Sequence, residues 1–178
     1  DEARMRKVFE SFLRNFFLAH IVNGNVGARR FSLSGMKILD GEESLIPNLN
    51  TDVVIDLTYG PKIVLDAKFS ARPLLTYHGK EMLRSEHLYQ ILAYVKNTRL
   101  LEPYRDVHGL VIYPKADIDL DITFTYAGAH FRFVTVDLSV DWPQVEAQLL
   151  SIITQMEAMP SPIAKPSKGG TALPIILA

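Results

Sequence analysis

Two apolar segments, residues 51–58 and 62–69, constrain this chain more than anything else in it, because only Tyr59-Gly60-Pro61 separates them. Each is rich in Val, Ile and Leu, and such a pair reads as two antiparallel strands of a hairpin. Pairing about Gly60 puts Val53, Ile55, Leu57, Ile63, Leu65, Ala67 and Phe69 on one face, since successive side chains alternate. That face is wholly apolar and needs a core to cover it. The opposite face carries Asp52, Val54, Asp56, Val64, Asp66 and Lys68. In this register Asp52 is expected opposite Lys68, with Asp66 on the diagonal at a backbone separation of roughly 7–8 Å. Central strands rarely hold acids without a partner or a metal. Asp56, nearer the turn, reads as solvated.

The remaining segments supply layers for such a hairpin. Met5, Phe9, Phe12 and Phe16 recur at helical spacing within residues 2–20. Asn23-Gly24-Asn25 breaks that helix with turn chemistry, residues 29–39 suit a loosely alternating strand, and residues 42–50 read as a loop. Residues 70–84 read as a further loop, containing Arg72, His78, Lys80 and Arg84. A helix over 85–99 is expected to begin at Ser85 as N-cap and to bury Leu88, Ile91, Leu92 and Val95. Residues 107–113 form a short strand ended by Pro114, and residues 118–126 and 130–138 form a second hairpin turned at Ala127-Gly128-Ala129. Pro143 opens a last helix to about Ala158, with Val145, Leu149, Ile152 and Met156 inward. The pattern predicts one α/β domain over residues 1–158, a mixed central sheet flanked by helices. Residues 159–178, rich in Pro and Gly, read as a tail or linker.

Composition narrows the chemistry. The 178 residues include no cysteine, which excludes disulfides, thiolate metal sites and a cysteine nucleophile and suits a reducing cytoplasm. No apolar run approaches the ~20 residues of a membrane span. Nineteen Lys and Arg meet twenty Asp and Glu, so any grip on nucleic acid must be local or come from a partner. Residue 1 is Asp and the first residues already read as helix, so a longer parent protein is expected.

Two acids and a lysine converging on one strand face suit phosphodiester hydrolysis. Carboxylate oxygens favour Mg²⁺, with Mn²⁺ able to substitute, and the ion lowers the pKa of its bound water. The Lys68 ammonium can orient that water or stabilise charge in the transition state.

Asp52, fourteen residues before Asp66-Ala67-Lys68, resembles the PD-(D/E)XK nuclease signature, although Thr51 stands where the motif name has Pro. Gln90 and Tyr94, one turn apart in Tyr89-Gln90-Ile91-Leu92-Ala93-Tyr94, resemble the QxxxY motif that follows the nuclease hairpin in several lineages. Phe9-Glu10, Leu65-Asp66-Ala67-Lys68-Phe69, residues 109–114 and Val136-Asp137-Leu138 before Trp142 extend the similarity to McrC-like nuclease subunits of McrBC restriction systems. The resemblance implies a restriction-endonuclease-like core. It further implies Asp52, Asp66, Lys68, Gln90 and Tyr94 as catalytic residues, with Glu10 on the first helix joining Asp52 and Asp66 around the metal. It implies DNA as substrate and an McrB-like AAA+ GTPase as partner, in keeping with the absence of a GxxxxGK[ST] loop from this chain. Two alternatives stand beside it: another nuclease of the superfamily, such as a junction resolvase or repair nuclease, or a non-catalytic assembly module. The five histidines show no ligand spacing and receive no role.

Overall fold

What covers the apolar face of the 51–69 hairpin decides the architecture. A computed structural model describes residues 1–162. In chain order its elements are α1 (Glu2–His20), β1 (Gly24–Gly27), β2 (Arg30–Phe31), β3 (Leu49–Asn50), β4 (Val53–Leu57), β5 (Lys62–Ala67), β6 (Leu74–Tyr77), β7 (Lys80–Leu83), α2 (Ser85–Leu101), β8 (Val107–Pro114), β9 (Asp121–Tyr126), β10 (Ala129–Val136) and α3 (Trp142–Glu157). Six strands form one mixed sheet in the order β1-β4-β5-β8-β10-β9. β5, β8 and β10 run parallel, and the outer pairings are antiparallel. α2 makes the crossover that a parallel β5–β8 pair requires.

The predicted apolar face is core. Val53, Ile55, Leu57, Ile63, Leu65 and Ala67 are buried against Phe9, Leu13, Phe16 and Phe17 of α1 and Val145, Leu149, Ile152 and Met156 of α3. On the other face Val64, Val111, Tyr113, Phe131 and Phe133 pack with Ile91, Tyr94 and Val95 of α2. The result is a three-layer α/β fold with a mixed sheet between helices, the restriction-endonuclease-like type that the resemblance implies. Gly109 on β8 lets the α2 layer close. A Cβ there would lie 2.6 Å from Phe131 Cδ1 and 2.8 Å from Ile91 Cγ1.

Several expectations are corrected. Of residues 29–39, expected as a strand, only Arg30–Phe31 is one, paired with Leu49–Asn50, and the sheet gains an edge strand at Gly24–Gly27 instead. Asn23-Gly24-Asn25 is therefore no simple turn: Gly24 is needed because a Cβ would sit 2.5 Å from the Asp56 carbonyl oxygen across the ladder. The predicted 42–50 loop holds a single 3₁₀ turn, Glu43–Leu45, before β3. The 70–84 loop contains the β6–β7 hairpin. Arg84, not Ser85, is the N-cap of α2. On α1 the buried stripe is Phe9, Leu13, Phe16 and Phe17, while Met5 is exposed.

The β4–β5 register also differs. Ile55 pairs with Ile63 and Asp56 with Lys62, so the last pair encloses residues 57–61 rather than the three of the expected turn. Pro61 has no N–H for a ladder, and Lys62 Nζ lies 3.1 Å from Asp56 Oδ2 directly across. The shift is two residues, so every side chain keeps its face. The predicted tail, from residue 163 onward, lies outside the described residues. Among the described residues no helix is long and apolar enough to cross a membrane.

Candidate functional site

The shifted register changes who faces whom on the polar strand face. Asp52, one residue before β4, stands across from Asp66 of β5 rather than from Lys68. Its Oδ2 accepts a hydrogen bond from the Ala67 N–H at 2.8 Å, which fixes the carboxylate against the neighbouring strand. Asp66 is only 1% exposed. Lys68, just past the end of β5, turns its ammonium back to 2.9 Å from Asp66 Oδ2. This ion pair is the contact that Oδ2 makes, and no hydrogen bond of good geometry reaches that buried oxygen among the described residues. It is ion-paired yet keeps a lone pair unserved.

α2 provides the wall opposite. Lys68 Nζ donates to Gln90 Oε1 at 2.6 Å, and Gln90 Nε2 donates to the Tyr94 hydroxyl at 2.7 Å. Gln90 and Tyr94 lie four residues apart on α2 and share a face, so one helical turn spans the relay. Five of the predicted residues, Asp52, Asp66, Lys68, Gln90 and Tyr94, are thereby brought into one connected group.

Burial, and then the charge of Asp66, push the Asp52 carboxyl up to about 7; Glu10 adds to the rise, while the Ala67 N–H and Lys68 oppose it. Burial also raises Asp66, against the pull of Lys68. Tyr94 is raised by burial, with both aspartates adding to it. Two carboxyls that disfavour each other's ionisation in a half-dry site invite a cation between them. Their hard oxygens fit Mg²⁺, which keeps several of its waters and needs few protein ligands.

Glu10 is half-buried on α1 and its charge reaches both aspartates, but its carboxylate is 3.2 Å from Arg14. Among the described residues no three acidic or histidine side chains gather closely enough to hold a metal unaided. Asp56 is not the solvated acid expected, since Lys62 at 3.1 Å and Arg105 at 2.8 Å both pair with it. Of the loop cations, Arg84 is held by Glu86 and by the Arg72 carbonyl, while Arg72 and Lys80 enter no ion pair among the described residues.

Two neighbours of the site escaped the sequence reading. His87 lies one turn before Gln90, and its Nδ1 is 2.9 Å from the Tyr113 hydroxyl at the end of β8. Burial, and next the Lys68 charge, hold His87 down at about 4, so it is neutral beside the ammonium. Its signal was present as the spacing i, i+3, i+7 of His87, Gln90 and Tyr94. Tyr113 carried no signal, since an aromatic in an apolar strand reads as core.

The chain is similar to known proteins over most of its length. A family model described as McrBC 5-methylcytosine restriction system component matches residues 3–114. The type IV methyl-directed restriction enzyme EcoKMcrBC of Escherichia coli (strain K12) is 25% identical over 155 residues, 87% of this chain and 44% of that protein. A solved assembly of Thermococcus gammatolerans McrB AAA+ hexamers with bound McrC matches with a TM-score of 0.60 and 13% identity, covering 85% of this chain and 33% of the matched chain. That last likeness is one of fold. The chain spans less than half the length of these relatives.

Proposed function

Because the chain belongs to the family of McrBC 5-methylcytosine restriction system components, we propose that it is the DNA-cleaving domain of an McrC-like subunit, a PD-(D/E)XK endonuclease that works with an AAA+ GTPase. The observation that carries the reading is the facing pair of half-buried Asp52 and buried Asp66, in which the charge of Asp66 opposes ionisation of Asp52, backed by Lys68. Asp52 and Asp66 would hold Mg²⁺ or Mn²⁺, with Glu10 contributing through water, and the ion would polarise the phosphate and acidify a bound water.

The chain's own residues do the rest. The Ala67 N–H anchors Asp52, so the two carboxylates are set before substrate arrives. Lys68 is fixed between Asp66 and Gln90 and offers its ammonium to charge that builds on the phosphoryl oxygens. Gln90 can present its carbonyl to Lys68 because its amide is turned toward Tyr94. Tyr94 receives that bond and keeps its own O–H available to donate.

The test is plasmid cleavage by Asp52→Asn, Asp66→Asn and Lys68→Ala, assayed with Mg²⁺ and the GTPase partner. Each is expected to lose on the order of 100-fold or more in rate, the loss that follows removal of one transition-state stabilising group, with circular dichroism unchanged. Near wild-type cutting by Asp66→Asn would sink the assignment.

A further inference from the structure

Between Lys68 and α2 the chain builds a feature that the site chemistry leaves unused. β6 and β7 form a two-stranded ribbon in which Tyr77 pairs with Lys80 and Leu75 with Met82. The two residues at its tip, His78 and Gly79, both have positive φ, at 47° and 76°, the pattern of a tight type I′ turn. The ribbon is narrow, regular and short. Its base is anchored, since Leu74 and Leu83 pack on the core beneath α2. Its foot is closed by Arg84, whose Nε donates to the Arg72 carbonyl at 2.9 Å.

Alternation then sorts the rest. Leu75, Tyr77, Lys80 and Met82 share the face away from the core, with Leu75, Tyr77 and Met82 exposed by 42%, 65% and 53%. Thr76 and Glu81 fall on the other face. The outer face is therefore apolar, aromatic and cationic, with no acid on it. The foot lies beside the site, because Arg84 is the N-cap of α2 and Gln90, less than two turns along that helix, accepts from Lys68 at 2.6 Å.

We propose that this ribbon is a DNA-engaging element that enters a groove of the duplex next to the scissile phosphate. A two-stranded β-ribbon is a shape that the major groove admits. Lys80 and Arg72 meet phosphates on either side, and Tyr77 and Met82 lie against sugars and base edges. The ribbon so holds the cleaved strand in register with Asp52 and Asp66. The inference rests on the nuclease reading above.

The experiment measures binding of a short fluorescein-labelled duplex at low salt by the full-length protein carrying Asp66→Asn, which separates grip from cutting. Arg72→Ala with Lys80→Ala is expected to lower the slope of log affinity against log salt by about two. Tyr77→Ser with Met82→Ser is expected to weaken binding about tenfold with the slope unchanged. Melting temperatures should stay put, because all four side chains are on the surface. A photoreactive residue at position 77 should crosslink to the duplex. Variants that bind DNA as well as their parent would overturn the inference alone, most directly if the crosslink goes instead to the GTPase partner, which would make the ribbon a protein-docking face. Failure of the Asp66→Asn parent to bind duplex at low salt would also overturn this inference, whereas the nuclease reading falls only if Asp52→Asn, Asp66→Asn and Lys68→Ala cut plasmid like wild type.

Discussion

Asp52 occupies a place that disfavours its own charge, and the consequence reaches stability as well as chemistry. Its pKa in the folded state is about 7 against an ordinary 3.8. Between those limits the native protein binds a proton that the unfolded chain does not, so this group's contribution to stability is full below the lower value. It is lost as pH rises through the upper one, by on the order of 1.4 kcal/mol for each tenfold fall in proton concentration between them. His87 and His108, both held at about 4 by burial, work in the opposite sense and lose stability as pH falls below their ordinary range. Comparing Asp52→Asn with wild type cancels the histidines. In chelator, the stability of the variant relative to wild type should grow between about pH 5 and about pH 8. Denaturant titration reads the difference, and a gap that shrinks toward alkaline pH would contradict the account. Mg²⁺ should raise the melting temperature of wild type at the alkaline end far more than that of Asp52→Asn, since a ligand that binds only the native state stabilises it.

Elements were legible to the degree that burial was one-sided and periodic. α3 and its inward residues, both faces of the β4–β5 hairpin and the crossover strand β8 followed from spacing alone. Alternation cannot see a shift of two residues, which is why the faces were right and the partner of Asp52 was wrong. The β6–β7 ribbon was missed because most of its side chains are exposed, so neither face of it reads as buried. Gly24–Gly27 was missed because glycine and asparagine favour turns unless a close ladder forbids a Cβ. Gly109 is the other position where the packing needs a missing Cβ, and there the tightness of the contacts sets a magnitude. Gly109→Ala should cost about 1–3 kcal/mol, the usual range for forcing extra atoms into a packed layer. Cleavage should fall with it, since displacing α2 from β8 carries Gln90 away from Lys68. A silent Gly109→Ala in both denaturation and cleavage would mean that α2 is not seated as tightly as Phe131 and Ile91 suggest.

At the scale of the whole molecule, charge balance argues for dependence on a partner. With 19 basic residues against 20 acidic ones, few phosphates can be neutralised, and nonspecific affinity weakens steeply with salt. Plasmid cleavage by this chain alone at moderate salt is expected to be poor, and to rise strongly when the AAA+ GTPase and GTP are supplied. Equal cutting with and without them would favour an autonomous nuclease. The candidate site was legible in the sequence as far as its acids, its lysine and the Gln90–Tyr94 turn, because each lies on or directly beside an element whose period gives its facing. His87 and Tyr113 were not, since their meeting joins a helix start to a strand end that no local pattern connects.

The far end of the same two site strands holds a charge cluster with a consequence for the site. Lys62, 1% exposed, is gripped by both oxygens of Glu102 at 2.6 Å and by Asp56, while Arg29 and Arg105 attach to the same acids. The apolar alternation of β4 and β5, taken alone, would tolerate sliding one strand along the other by two residues with every side chain keeping its face. Such a slide would move Asp56 off Lys62 at one end and Asp52 off the Ala67 N–H at the other. The charge cluster thus acts as an indexing pin for the hairpin: it adds nothing to the chemistry, yet it selects, among registers that alternation leaves equivalent, the one in which the two aspartates face each other.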